Sequence, residues 1–202
     1  MENKDLLPET EKIVEEVAKK SVGREILEWI FSIVIAVVIA LIIRQFIFTV
    51  VKVDGASMQP TLQHNDRLIV WRLGYQPDNG DIIVLHQDGK LPYIKRIIAV
   101  EGQTVDINFF THKVYVDGVE LEEPYIKEPT MLAGDVKFPV TVDEGCVFVL
   151  GDNRNDSRDS RFSDVGMVKE EDIIGKTILR FFPFSNIKTY WYITPYCKIW
   201  GI

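Results

Sequence analysis

Ser57 stands in Gly55-Ala56-Ser57-Met58-Gln59-Pro60-Thr61-Leu62, between small residues and a proline. Gly55 and Ala56 leave room for another backbone to approach, and Pro60 fixes a turn. A serine held this way can be exposed and rigid, as a nucleophile must be, although serine is also an ordinary turn residue. A serine hydroxyl becomes a nucleophile only beside a base. Lys95, in Tyr93-Ile94-Lys95-Arg96-Ile97-Ile98-Ala99-Val100, is a candidate. In a strand, Tyr93, Lys95, Ile97 and Ala99 share one face, and Ile94, Arg96, Ile98 and Val100 the other. Both faces are otherwise largely apolar, so a sheet would hold Lys95 in a poorly hydrated place. Desolvation favours the neutral amine, which can take a proton from a hydroxyl. The other reading is an edge-strand lysine turned to water.

The second dense polar stretch is Gly151-Asp152-Asn153-Arg154-Asn155-Asp156-Ser157-Arg158-Asp159-Ser160-Arg161. Its alternating acids and arginines can build a hydrogen-bonded network, and Ser157 or Ser160 could orient a neighbouring amine. It can also be a solvated loop. A calcium loop of the EF-hand kind is excluded by the missing central glycine and the missing twelfth-position glutamate. His64, His86 and His112 are scattered and form no triad or metal-ligand pattern. Cys146 and Cys197 are too few for a disulfide scaffold and have no metal-ligand spacing.

The elements that must position these residues follow from patterning. Of the 202 residues, 1–28 are polar and highly charged. Pro8 can open a helix there, and Ile13, Val14 and Val17 give it a narrow apolar stripe. Trp29–Ile43 carries no charge, and extending the run to Val51 adds only Arg44. A membrane helix needs about 20 apolar residues, and an arginine near its end can snorkel. We therefore read 29–51 as an uncleaved anchor. Lys12, Lys19, Lys20 and Arg24 before it, against Arg44 and Lys52 after it, favour a cytoplasmic N-terminus. Residues 52–202 are left as one extracytoplasmic domain, large enough for a core.

That domain is expected to be mainly antiparallel β. Arg67–Trp71, Asp81–His86, Tyr93–Val100, Lys113–Val116, Gly145–Leu150 and Ile173–Phe182 are rich in Val, Ile and aromatic residues. Asp88-Gly89 and Asp117-Gly118 are hairpin signals. Residues 120–144, with Pro124, Pro129, Gly134 and Pro139, are expected to form a long surface excursion. The aromatic tail with Trp191, Tyr192, Tyr196 and Trp200 fits either an edge strand or the membrane interface. The net charge of −7, with no basic block, leaves no electrostatic footprint for nucleic acid.

Taken in order behind a membrane anchor, Ser57–Leu62, Tyr93–Ala99 and Gly151–Arg161 resemble the motifs of bacterial type I signal peptidase, in its compact single-anchor form. The resemblance spans about residues 29–183. It implies an antiparallel β-sheet fold and removal of signal peptides from exported preproteins at the outer face of the cytoplasmic membrane. It also implies a Ser/Lys dyad without histidine, metal or cofactor. On that mapping Ser57 attacks the scissile carbonyl, Lys95 is the general base, and the Ser57 amide serves the oxyanion. Ser157 orients the Lys95 amine, Arg96 is free to pair with Asp152, and Asp159 and Arg161 brace the loop. Val53, Met58, Leu62, Tyr93 and Ile94 are candidates for shallow pockets accepting small residues at −1 and −3. The partners implied are preprotein signal peptides and membrane lipids.

Two positions depart from the family pattern. Some members carry a second oxyanion donor, a serine hydroxyl two residues before the nucleophile. Here that position is Gly55, and Gly55→Ser is expected to keep or modestly raise activity. Asp156 stands where the family often has Asn, and is expected to point to solvent. Two rival readings are a self-cleaving Ser/Lys protease of the repressor type and a catalytically silent anchored binding protein. The membrane run argues against the first, and intact Ser57, Lys95 and Ser157 against the second.

Overall fold

The computed structural model describes residues 7–86 and 92–190. The chain divides after Gln45 into two compact units. The first is a helix, α1 (Leu7–Phe46). Within it Arg24–Arg44 is 21 residues long and apolar enough to cross a membrane, with no part of it buried in the protein. At a rise of about 1.5 Å per residue this covers roughly the 30 Å of a bilayer's hydrocarbon core.

The second unit is β-rich, as the alternating and β-branched segments imply. Its strands are β1 (Phe48–Lys52), β2 (Arg67–Trp71), β3 (Ile82–Leu85), β4 (Tyr93–Val100), β5 (Thr104–Asn108) and β6 (Lys113–Val116). They are followed by β7 (Val119–Glu120), β8 (Val140–Thr141), β9 (Cys146–Leu150), β10 (Val168–Lys169), β11 (Ile173–Phe182) and β12 (Lys188–Thr189). All described pairings are antiparallel. The large sheet runs β1-β2-β11-β3-β4-β9-β10, with β12 also on β11, and the small one runs β7-β6-β5-β8. Ile82, Val84 and Ile94 pack with Leu68, Val70, Met58 and Leu62 on one face of the large sheet. Ile83, Leu85, Ile97, Val147 and Val149 fill the other. A third cluster joins Ile98, Ala99, Phe148 and Leu150 to Val105, Ile107, Val114 and Val116 of the small sheet.

Three expectations change. The helical part of the apolar run stops at Phe46, and Phe48–Lys52 pairs with β2 instead of continuing the anchor to Val51. Within β4 the pairing to β9 shifts between Ile97 and Ala99. That bulge sends Ala99 to the Ile98 side and Val100 to the Ile97 side, reversing the strict alternation beyond Ile97. The 120–144 stretch is only partly a surface excursion. Thr130 within it is fully buried, and Val140–Thr141 pairs with β5. The Asp117-Gly118 turn has positive φ at both residues (51° and 79°) and closes a two-residue hairpin between β6 and β7. Asp88-Gly89 and the aromatic tail from Trp191 lie outside the described residues.

Candidate active site

Ser57 belongs to the loop that leaves β1 and returns as β2, and Lys95 lies in the middle of β4. Arg96 pairs with Ile82, and Ile83 with Lys95, so β3 covers one edge of this strand while β9 covers the other. A lysine in a strand paired on both edges is largely removed from water, and Lys95 is 3% exposed. Its Nζ lies 2.9 Å from Ser57 Oγ and 3.2 Å from the Ile94 carbonyl, over the Tyr93 ring at 5.2 Å. Burial pulls the Lys95 amine down to about 8, against the opposing pull of Asp159 and Asp152 and with help from Arg161. An amine near 8 is partly neutral at neutral pH, which a general base must be.

The polar stretch after β9 holds both halves of the pair. Asn153 donates from its backbone N to the Ser57 carbonyl (2.9 Å) and from Nδ2 to the Ala56 carbonyl (3.1 Å). Arg96, on the face opposite Lys95, grips Asp152 with Nε (2.8 Å) and Nη2 (2.7 Å), and Tyr125 stacks on its guanidinium at 4.0 Å. Asp152 also accepts the Thr61 hydroxyl at 2.5 Å. The lysine-bearing strand and the serine-bearing loop are thus tied by one buried carboxylate. Asp159 accepts Arg161 Nε and Nη2 (2.8 and 2.9 Å) and the Gly151 amide (3.0 Å). Arg161 reaches on to the carbonyls of Arg154 and Leu132, fastening the 120–144 stretch to the site. These charges are fully buried, and their bidentate geometry satisfies what burial would otherwise leave unpaired.

Beside the dyad is a cavity of about 220 Å³. Val53, Met58, Tyr93 and Ile94 give its apolar walls, and Ser57 and Lys95 open into it. Leu62 does not reach it; that side chain is fully buried beneath the loop, in the core with Leu68 and Val70. No histidine bonds to Ser57. His64 sits 3.3 Å from Asp54 Oδ1 and accepts the Gly55 amide, and His112 lies against the Thr130 carbonyl. Among the described residues no group of His, Cys, Asp and Glu is arranged to hold a metal.

Residues 26–182 match the family described as signal peptidase, peptidase S26. The chain belongs to that family. It is 40% identical over 185 residues to signal peptidase I S of Bacillus subtilis (strain 168), covering 86% of this chain and 97% of that relative. It is 36% identical over 183 residues to signal peptidase IB of Staphylococcus aureus (strain COL), covering 82% and 94%. A crystal structure of a signal peptidase I from Enterococcus faecalis V583 aligns with 50% of this chain and 97% of its own, at 30% identity and a TM-score of 0.42. The protein is therefore a serine endopeptidase of the signal peptidase class. Such enzymes are membrane-anchored and cleave signal peptides, and the apolar Arg24–Arg44 helix fits that anchoring.

The geometry changes two expectations about this peptidase. Ser157 does not hold the Lys95 amine: its buried hydroxyl has no partner, while Nζ is engaged by Ser57 and Ile94. The Ser157 side chain instead packs where a side chain on Gly151 would sit. Gly55 has φ +101°, a region that residues with a Cβ rarely adopt, although space around it is open. The expectation for Gly55→Ser therefore reverses. The substitution is expected to cost about 1–3 kcal/mol in the loop that carries Ser57. Cleavage should fall at least severalfold, as measured by kcat/KM on one preprotein; equal or higher activity would remove the backbone role assigned to Gly55.

Thr61, Asn153, Gly151 and Arg180 were not singled out from the sequence. Thr61 and Asn153 lay in motifs already marked, where only their order distinguished them. Arg180 is one of two charges, with Lys176, in the otherwise largely apolar β11. Its Nη1 donates to the Thr61 carbonyl (3.0 Å) and to Asp66 (3.1 Å), pinning the far end of the Ser57 loop.

Proposed function

We propose that this peptidase cleaves the signal peptide by a Ser57/Lys95 dyad. Neutral Lys95 accepts the Ser57 hydroxyl proton as Oγ attacks the scissile carbonyl. The protonated amine then passes that proton to the leaving nitrogen, and the acyl-enzyme is hydrolysed by water activated in the same way. The Ser57 amide has no hydrogen-bond partner among the described residues and is the donor assigned to the oxyanion. The shallow cavity beside Ser57, with its wall of Val53, Met58, Tyr93 and Ile94, suits small residues such as Ala at −1 and −3. The observation that carries this reading is the 2.9 Å contact between Ser57 Oγ and a lysine removed from water.

The test is incubation of the detergent-solubilised protein with a preprotein. The wild type should release the mature chain at one bond after a small residue, and Ser57→Ala should not. Equal cleavage by the alanine variant would remove Ser57 as nucleophile, and an inert wild type would favour a silent binding protein.

The same reading places the N-terminus in the cytoplasm and the β-rich unit outside, against the membrane lipids, on the bias of Lys and Arg about the anchor. Protease added to spheroplasts is expected to digest residues beyond 52 and to spare an N-terminal tag. Protection of the β-rich unit would reverse the orientation.

A further inference from the structure

The mouth of the dyad cavity carries three charged side chains besides Lys95: Asp54, Asp156 and Arg158. Two are already engaged. Asp54 has His64 at 3.3 Å. Arg158 donates to Asp164 from Nε (3.1 Å) and Nη2 (2.8 Å) and lies over the Phe162 ring at 4.2 Å. The Asp156 carboxylate is exposed and has no hydrogen bond or ion pair among the described residues. It is also not among the charges that act most on the Lys95 amine, which are Asp159, Arg161 and Asp152. The cavity thus presents a carboxylate at its rim, Asp156, that no side chain among the described residues engages.

We propose that Asp156 is a specificity-determining residue that favours a basic side chain on the substrate segment lying along its side of the cavity, and disfavours an acidic one. This deepens the dyad reading above and rests on it. Of the other charged wall groups, Arg158 is engaged by Asp164 and Lys95 is held against Ser57, while Asp54 has the same sign as Asp156, so both carboxylates favour a basic residue and substitution at Asp156 isolates its share. An exposed pair of this kind is worth about 0.2–1 kcal/mol, which is roughly 1.4- to 5-fold in kcat/KM. Salt should weaken it, because the Debye length shortens from about 10 Å at 0.1 M to about 3 Å at 1 M.

The experiment uses the full chain in detergent and preprotein peptides that differ only at one position. Each position from −5 to +3 other than −1 and −3, which stay Ala, is set in turn to Lys, Gln or Glu, and the wild type is compared with Asp156→Asn and Asp156→Lys. At one position the wild type should prefer Lys to Glu by about two- to fivefold. That ratio should fall toward one in Asp156→Asn, invert in Asp156→Lys, and flatten at 1 M salt. A Lys-to-Glu ratio that is the same in all three enzymes at every position overturns the proposal, even with all three active. Failure of the wild type to cleave the Gln peptides overturns the dyad reading as well, so the two failures are told apart.

Discussion

Lys95→Met is expected to abolish preprotein cleavage while leaving a domain that is more stable than the wild type at neutral pH. The loss should be at least about 10³-fold, within the range a positioned general base supplies. The gain has the same physical origin as the activity. Burial brings the Lys95 amine from its ordinary value of 10.5 to about 8, so the folded chain binds that proton more weakly than the unfolded chain does. The penalty for the buried ammonium is fully present below pH 8 and fades as pH rises from 8 through 10.5. At neutral pH it reaches about 3 kcal/mol, which a methionine of similar length would not incur. Urea unfolding at pH 7 and pH 10 measures it: the wild type should gain on the variant with rising pH. For the wild type, kcat/KM should climb about tenfold per pH unit below 8 and level above it. Cleavage by Lys95→Met above a tenth of the wild-type rate would remove Lys95 as the base. A wild type whose stability is flat across that pH window would deny that its amine is desolvated.

Gly151→Ala is expected to be nearly as damaging, although glycine to alanine is a small change. A Cβ there would stand 2.6 Å from the Ser57 carbonyl oxygen and 2.2 Å from Ser157 Oγ. The hydroxyl could rotate away, but the Ser157 Cβ, also 2.6 Å off, could not, and the Ser57 carbonyl is backbone that the Asn153 amide holds. The Ser57 loop must therefore shift. A displacement of about 1 Å at reacting groups can cost about 10²-fold. The measured result should be a fall in kcat for a fixed preprotein, only partly restored by adding Ser157→Gly, which removes both the Oγ and the Cβ. Full restoration by that second change would show that the serine, and not the Ser57 backbone, was the obstacle.

Much of this site was legible in the sequence because its chemistry is local in type. A lysine amid Ile and Val announced its own desolvation, and the hydropathy of Tyr93–Val100 predicted the strand. The opposite facing of Lys95 and Arg96 followed from a two-residue period, and Arg96 does pair with Asp152. What escaped reading was set by partners distant in the chain. Residues 48–51, with Thr49 their one polar residue, continue the apolar run, and four residues are too few for a period to separate strand from helix. The bulge beyond Ile97 comes from the pairing with β9, and nothing in Ile97-Ile98-Ala99 marks it. Gly55 suggested small size, whereas its backbone angle is the property in use. β5 was not read from Thr104–Asn108 because only Val105 and Ile107 are apolar there, and Asp106 and Asn108 are residue types depleted in strands.

The order of strands in the large sheet also governs when the enzyme can exist. Ser57 hangs from the β1–β2 pair and Lys95 from the β3–β4 pair, and β2 and β3 do not touch; β11 lies between them. A ribosome makes both pairs early and the strand that welds them near the end. Until Ile173–Phe182 slots in, the two pairs are joined through the contacts of Asp152 and Asn153 without a strand between them, and Arg180 has not yet pinned the nucleophile loop. The sheet that frames the dyad is thus closed by a strand that follows both of its halves in the sequence.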